Sequence, residues 1–153
     1  MRKFVVLAAV AAIVVGAIAA LPASAHHARA SATTAKLGIR NGKLGRFIVN
    51  GRGLTLYLFE KDKNGKSACY GACAQVWAPL ITSGKPSAGA GVVASRIGTT
   101  RRRDGKLQVT YGGHPLYRYD DDHKPGQTEG QGSKLFGAEW YVVAASGKKI
   151  DES

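Results

Sequence analysis

Residues 53–62 read GLTLYLFEKD, and sixty residues later residues 113–122 read GHPLYRYDDD. In both segments a leucine, a tyrosine, a second aromatic residue and an aspartate occupy the same positions. They are Leu56, Tyr57, Phe59 and Asp62 in the first copy, and Leu116, Tyr117, Tyr119 and Asp122 in the second. Self-similarity at a fixed offset indicates one structural unit that is present twice. We therefore predict a domain of two related halves.

The spacing inside this motif is typical of a short β-strand. Successive side chains of a strand point to opposite faces, so Tyr57 and Phe59 share one face while Leu56 and Leu58 share the other. The aspartate follows the strand end, where a carboxylate accepts hydrogen bonds from loop amides and holds a turn. We interpret the motif as structural. The alternative is an aromatic and acidic pocket that faces a ligand.

The segments around the motif predict more strands. Runs that mix β-branched, aromatic and polar residues occur at residues 44–50, 54–59, 106–111, 116–119 and 139–145. The dipeptides Asn41-Gly42 and Asp104-Gly105 predict two-residue type I′ hairpin turns, and we align them with each other at an offset of 63 residues. A short helix is expected within residues 67–76, with Ser67 as its N-cap.

The predicted fold class is mostly β. It is a compact domain of two related β-hairpin or meander repeats, with one short helical turn near the two cysteines, after an N-terminal signal peptide. The expected organisation is a signal peptide at residues 1–25, a flexible linker at 26–35 and the two-repeat domain at 36–150. The repeats lie at about 36–82 and 95–145, and residues 124–134 form a mobile surface loop.

The first 25 residues have the features of an export signal. Arg2 and Lys3 precede an uncharged run, and Ala23-Ser24-Ala25 supplies the small-x-small pattern at which signal peptidase cleaves. Ala28-Arg29-Ala30 offers a second cleavage point, and a retained membrane anchor is the alternative. No cysteine stands near residue 25, so we expect a secreted or extracytoplasmic protein. It would be soluble or wall-associated, with neither a lipid anchor nor a transmembrane anchor after cleavage.

The composition is that of a folded, basic chain. Hydrophobic residues make up 44% of it, too many for a disordered protein. Lysine and arginine number 22 against 10 acidic residues, a formal charge of +12, of which about +10 remains once residues 1–25 are removed. Nucleic acid is scarce outside the cytoplasm, so this charge favours anionic envelope polymers or lipid head groups as partners. The alternative is that the charge only keeps the protein soluble. Possible anion-binding residues are Arg101, Arg102 and Arg103.

The two motif copies and the segment CYGACAQVWAP at residues 69–79 resemble a bacterial family of secreted or lipoprotein repeats. That family has a Tyr-x-(Phe, Trp or Tyr)-x-x-Asp motif, often in tandem, and a cysteine-containing segment that leads to Trp-Pro. The resemblance covers about residues 36–145 and includes Trp77 and Trp140, which follow the two motif aspartates. In this chain Ala78 separates Trp77 from Pro79, and no lipobox cysteine is present, which implies a freely exported member. The resemblance implies location and architecture but no chemistry, because the family has no established function.

Cys69 and Cys73 predict a structural disulfide, since the extracytoplasmic space is oxidising. Three residues separate them, which excludes the Cys-x-x-Cys spacing of haem c attachment and of thioredoxin-like redox chemistry. A bridge across so short a loop acts locally and fixes the chain before Trp77. An enzymatic disulfide is the alternative.

Two groups of residues are candidate metal ligands. Cleavage after Ala25 would expose His26 as the N-terminus, followed by His27, a nitrogen chelate that suits Cu(II); a flexible linker is the alternative. The only dense acidic cluster is formed by Asp120, Asp121, Asp122 and His123. Its oxygens suit a hard divalent cation, but it lacks the spacing of a known calcium loop, and a solvated loop is the alternative.

The sequence contains no nucleophile elbow, phosphate-binding loop or metalloprotease motif, so we expect neither catalysis nor a cofactor. The predicted function is that of an exported non-catalytic cell-envelope protein, a binding or scaffolding module with a basic surface. Its partner would be an anionic envelope polymer or another envelope protein, and not nucleic acid. The alternative is an extracytoplasmic redox- or metal-linked protein that uses the Cys69/Cys73 pair or the His26/His27 terminus.

Overall fold

The structure is a computed structural model that describes residues 33–152. The predicted signal peptide and His26 and His27 lie outside the described residues. One α-helix, α1 (Ala72–Val76), and short 3-10 turns at Ala94–Arg96 and Leu135–Gly137 are the helical elements of this part of the chain. The strands are β1 (Lys36–Gly42), β2 (Gly45–Asn50), β3 (Tyr57–Phe59), β4 (Trp77–Pro79), β5 (Ile81–Thr82), β6 (Ser87–Ala88), β7 (Ile97–Arg101), β8 (Leu107–Tyr111), β9 (His114–Pro115), β10 (Tyr117–Tyr119) and β11 (Trp140–Val142). The predicted mostly-β class is confirmed.

The strands form three sheets. Two of them are built on the hairpins, with the orders β2-β1-β6 and β5-β8-β7, and β9 pairs with β8. The third is a central four-stranded sheet of order β11-β3-β10-β4. This central sheet holds both copies of the sequence motif, in β3 and β10.

The two repeats exchange strands. We call β1–β5 the first repeat and β7–β11 the second. In the central sheet the repeats alternate, because β11 and β10 come from the second and β3 and β4 from the first. Tyr57 lies opposite Tyr117 at the centre. On either side Phe59 pairs with Trp140 and Tyr119 with Trp77, so the register is the same on both sides of a pseudo-twofold axis.

The outer sheets are exchanged in the same way. The amide of Leu80 in the first repeat donates to the carbonyl of Leu116 in the second at 2.9 Å. The amide of Val143 in the second donates to the carbonyl of Leu56 in the first at 3.1 Å. Each repeat therefore completes the sheet of the other, and the structure is two interlocked repeats rather than two domains side by side.

The hairpin turn predicted at Asn41-Gly42 is wrong. These residues lie within β1, the turn is formed by Lys43 and Leu44, and Gly45 follows with φ +82°. Neither Lys43 nor Leu44 has positive φ, which a type I′ turn requires at both central positions. In the second hairpin the amide of Gly105, at φ +80°, donates to the carbonyl of Arg102 at 3.0 Å.

The two glycines occupy the same place in the two hairpins, so the offset between them is sixty residues and not 63. A glycine just after a type I turn supplies the left-handed conformation that lets the second strand resume its register. The sequence alignment of Asn41-Gly42 with Asp104-Gly105 is therefore wrong by three residues.

The predicted short helical turn near the two cysteines is confirmed by α1. It begins at Ala72, and its N-cap residue Gly71 provides no side-chain cap. Ser67 does not cap it; the Ser67 hydroxyl accepts instead from the Cys69 amide at 3.2 Å. The Cys69–Cys73 disulfide joins the residue three positions before the helix to the second residue of its first turn.

The core consists of two clusters on opposite faces of the central sheet. One is aromatic and holds the motif rings with both tryptophans, Phe47, Val49, Val142 and the two cysteines. The other holds Leu56, Leu58 and Leu116 with Val109 and Tyr111. The alternation of side chains along β3 thus divides the motif between the two clusters.

The loop at residues 124–134 is anchored, contrary to the expectation of a mobile loop. The amide of Gly126 donates to the carbonyl of Gly53 at 3.2 Å. The side chain of Gln131 donates to the carbonyl of Ile150 at 2.7 Å and accepts from the amide of Val142 at 2.8 Å. Its Gly-rich composition serves close packing rather than mobility.

Candidate functional site

Two reciprocal tyrosine–aspartate bonds join the repeats. The Tyr57 hydroxyl donates to Oδ2 of Asp122 at 2.5 Å, and the Tyr117 hydroxyl donates to Oδ2 of Asp62 at 2.8 Å. Each tyrosine thus binds the aspartate of the other repeat. The second carboxylate oxygen accepts from a loop amide, that of Ala68 for Asp62 and that of Glu129 for Asp122. The aspartates therefore hold their own loops and fasten them to the neighbouring repeat.

Burial changes the acidity of these four groups. It raises the pKa of Asp62 to about 6, although the Ala68 amide, the Tyr117 hydroxyl and the charge of Arg102 all lower it. Burial also raises the pKa of Asp122. Burial, and then the neighbouring aspartate, raise the pKa of Tyr57 and Tyr117, so both phenols remain protonated donors at neutral pH.

Stability is expected to fall as the pH rises through the pKa of Asp62. The folded pKa of about 6 is above the ordinary value of 3.8, so folding favours the protonated acid. That contribution is complete below pH 3.8 and is lost as the pH rises through 6. We expect Asp62→Asn to reduce the loss of unfolding free energy between pH 4 and pH 7 by about 1 to 2 kcal/mol, allowing for partial solvent screening. Urea unfolding at several pH values measures this, and an unchanged pH profile in the variant would contradict it.

The motif rings form a stack across the pseudo-twofold axis. Trp77 and Trp140 lie face to face with centroids 3.9 Å apart. Phe59 stacks on Trp140 at 3.9 Å, and Tyr119 lies against Trp77 at 4.4 Å. Tyr57 and both tryptophans have no exposed surface. Tyr57, Tyr117 and Phe59 are therefore buried at the junction of the repeats, while Tyr119 at its edge is partly exposed.

The disulfide predicted between Cys69 and Cys73 is confirmed. Both cysteines are buried in the aromatic cluster. The loop that they close contains Tyr70, over whose ring lie the guanidinium carbons of Arg102, at 4.3 Å, and Arg103, at 4.0 Å. The Tyr70 hydroxyl also accepts from the amide of Arg103 at 3.1 Å. The disulfide loop is thus fastened to the turn of the second hairpin.

The three consecutive arginines have different environments. Arg102 is only 4% exposed, and its side chain donates to Ser67, to Gln108 and to the carbonyl of Cys69 at 2.7 to 2.8 Å. Its Nε lies 3.5 Å from a carboxylate oxygen of Asp104. Arg101 and Arg103 are exposed. Arg102 therefore supports the pocket from the buried side. Of its two exposed neighbours, Arg101 donates to the carbonyl of Gly105 at 2.8 Å and Arg103 stacks on Tyr70.

Together these residues line an open pocket of about 650 Å³, which we call the arginine pocket. Its lining comprises Lys66, Ser67, Ala68, Tyr70, Arg101, Arg102 and Arg103. Four of these seven residues are cationic and none is acidic. Guanidinium groups donate in a fixed fork that matches the oxygens of carboxylate and phosphate groups. The pocket is suited to an oxyanion, with the tyrosine ring as an apolar wall.

Two segments of the chain, residues 38–81 and 98–144, match the model of a family described as a secreted repeat of unknown function. Together they span more than half of the 153 residues. The chain belongs to this family. Each match covers one of the two interlocked repeats, which confirms the resemblance found in the sequence. No curated protein and no solved structure matches the secreted repeat protein.

The family description agrees with an exported protein of unknown function. Within residues 33–152, the secreted repeat protein has no helix long and apolar enough to cross a membrane.

The acidic candidates do not form a cluster of ligands in the secreted repeat protein. Asp122 is buried and bonded to Tyr57, whereas Asp120, Asp121 and His123 are exposed. In the part of the chain that the structure describes, no three His, Cys, Asp or Glu side chains are arranged to hold a metal ion. Asp122 differs in orientation from the acidic residues beside it in sequence, because its side chain points inward and holds its loop.

Lys66 and Tyr70 belong to the pocket but were not among the sequence candidates. Both lie in the segment between the motif aspartate of the first repeat and α1, about thirty residues before the arginines. Charge density alone identifies only the arginine run. The position of Tyr70 inside the disulfide loop was a usable signal, because a short closed loop displays the residues that it contains.

Removal of the disulfide is expected to destabilise the secreted repeat protein by about 2 kcal/mol, the chain-entropy value for so small a loop. The double variant Cys69→Ala/Cys73→Ala should unfold at a lower urea concentration than the oxidised protein. Reductant should lower the midpoint of the wild type and leave that of the variant unchanged. A variant with the wild-type midpoint would contradict a stabilising role.

Proposed function

We propose that this secreted repeat protein is a non-catalytic module of the cell envelope that binds oxyanion groups of an anionic polymer in the arginine pocket. The observation that carries the proposal is the arrangement of the pocket. Two exposed arginines and Lys66 surround an aromatic wall, and no carboxylate lines the cavity. Export by cleavage of residues 1–25 is part of the proposal, and N-terminal sequencing of the exported protein tests it.

The pocket is organised before any ligand arrives. Arg102 is held by three hydrogen bonds. The turn that carries Arg103 is held to Tyr70 by a hydrogen bond from the Arg103 amide to the Tyr70 hydroxyl and by the cation–π contact of Arg103. A preorganised site loses less conformational entropy on binding. Charge-assisted hydrogen bonds to phosphate or carboxylate are stronger than neutral ones. These features favour binding of an oxyanion over non-specific attraction.

Of the formal charge of +12, about +10 remains after cleavage of residues 1–25, and this net positive charge supports the same proposal through long-range attraction. A basic protein accumulates near an anionic polymer, and this attraction weakens as salt shortens the screening length. Phosphate oxyanions occur both in polymers and in lipid head groups, so the source has to be separated by experiment.

Linear polyphosphate is a suitable polymer probe, with binding measured by calorimetry at low and high salt. We expect Arg103→Glu to weaken binding about 10-fold, as loss of one charge-assisted contact implies. Lys85→Glu makes the same change of charge outside the pocket and is expected to have a much smaller effect. Equal affinity of the Arg103 variant and the wild type would overturn the proposal.

Vesicles separate the two sources. We expect the protein to bind polyphosphate at least as tightly as it binds vesicles of phosphatidylglycerol. We expect no binding to vesicles of phosphatidylcholine. Binding to phosphatidylglycerol vesicles but not to polyphosphate would show that the pocket binds lipid head groups. It would overturn the proposal that the ligand is a polymer.

A further inference from the structure

The pseudo-twofold axis gives the arginine pocket a counterpart. The arginine pocket lies between the loop that follows Asp62 and the turn of the second hairpin. A second cleft, of about 350 Å³, lies between the loop that follows Asp122 and the turn of the first hairpin. Each cavity thus uses the aspartate loop of one repeat and the hairpin of the other, as the strand exchange requires.

Corresponding backbone positions in the two repeats show which residues of the two cavities are equivalent. The amides that bond the motif aspartates belong to Ala68 in the first cavity and to Glu129 in the second. Gly105 and Gly45 end the two turns at positive φ. Counting back two residues from each glycine places Lys43 where Arg103 stands.

The second cleft has two basic side chains at its rim, one of which lies against the backbone of the loop. Arg40 and Lys43 are exposed residues of its lining. Arg40 lies across Gly126, where a Cβ atom would be 2.3 Å from its Nε. Glycine at φ +84° thus permits a close approach of the guanidinium to the backbone of the loop.

Three replacements make this cleft less cationic than the arginine pocket. Glu129 stands where Ala68 stands, Gly42 where Arg102 stands and Asn41 where Arg101 stands. The second cleft is therefore lined by one carboxylate against none, and by two cationic residues against four. A weaker attraction for anions follows from these changes.

We infer that the second cleft is a second, weaker oxyanion site, and that the protein bridges anionic polymer chains by binding one chain in each of the two cavities. This inference rests on the proposed function, because it assumes that the arginine pocket binds such groups. Two cavities related by a twofold axis have separate mouths, so one phosphate group cannot occupy both. A bivalent protein of this kind cross-links long polymers and leaves short ones as separate complexes.

Tripolyphosphate and long-chain polyphosphate test the inference on the exported protein. Calorimetry should give two tripolyphosphate ions per wild-type chain, the second bound more weakly. Lys43→Glu should weaken the second site about 10-fold and leave the tight site unchanged, and Arg103→Glu should weaken the tight site about 10-fold and leave the second site unchanged. Light scattering with long-chain polyphosphate should rise for the wild type and stay low for either variant. Lys85→Glu is the matched control and should behave as the wild type does.

The possible failures are distinguishable. A single site that Arg103→Glu weakens and Lys43→Glu leaves unchanged would overturn the inference and retain the proposed function. Absence of any binding would overturn both. Both substituted residues lie in exposed turns, and near-ultraviolet circular dichroism should show the wild-type fold in each variant.

Discussion

Neither half of this protein is expected to fold as a monomer when the chain is divided between Ala90 and Gly91. These two residues are exposed and lie between the last strand of the first half, β6, and the first strand of the second, β7. The division leaves the hairpins whole but takes two alternate strands out of the central sheet. Two isolated strands cannot bury the aromatic cluster, and sheets of fewer than three strands are marginal in water.

Mixing the two halves is expected to restore the fold, because every contact between the repeats is non-covalent apart from the 83–96 connection. The measurements are near-ultraviolet circular dichroism and analytical ultracentrifugation of each half and of the mixture. Any folded species should contain two halves, either one of each or two of the same kind. A folded, monomeric single half would show that the repeats are independent and would contradict the interlocked arrangement.

An intact chain with a protease site inserted between Ala90 and Gly91 provides the control. When it is cleaved after folding, the two fragments should stay associated and keep the spectrum of the uncut protein. Separation of the fragments without denaturant would mean that the exchanged strands contribute little to stability.

The repeat and its strands could be predicted because they are local properties. The motif places a tyrosine, a second aromatic residue and an aspartate at fixed spacing, which requires only a strand and the loop after it. The alternation of side chains along the sequence indicates that strand and where it ends. The exchange of strands between repeats could not be predicted in this way. Tyr57 has the same spacing to Asp62 as Tyr117 has to Asp122, so the pattern is equally compatible with bonds inside a repeat and between repeats.

The candidate site was predicted only in part for a similar reason. A run of three arginines is visible as charge, but burial of the middle one depends on the acceptors that surround it. Those acceptors are Ser67, Gln108 and the carbonyl of Cys69, which come from distant parts of the chain. The hairpin turn was misplaced because Asn41-Gly42 is a strong local signal, yet Gly45 is the glycine that the register of β1 and β2 requires.

The second large effect is expected from the stacked tryptophans. Truncation of either to alanine should cost about 3 to 5 kcal/mol, the range for a fully buried large aromatic side chain. The two are not equal, although the pseudo-twofold axis relates them. Trp140 Nε1 donates to the carbonyl of Leu135 at 2.9 Å, whereas Trp77 Nε1 is buried without an acceptor among residues 33–152.

Phenylalanine substitutions isolate that difference, because they keep a ring in the stack and remove the indole nitrogen. Trp140→Phe loses a hydrogen bond as well as volume, while Trp77→Phe loses volume and an unsatisfied donor. An unpaired buried donor carries a desolvation penalty, so its removal offsets part of the packing loss. We expect Trp140→Phe to be the more destabilising of the two by about 1 kcal/mol or more. Urea unfolding of both variants measures this, and a Trp77→Phe variant that is equally or more destabilised would show that the indole nitrogen of Trp77 is satisfied in solution.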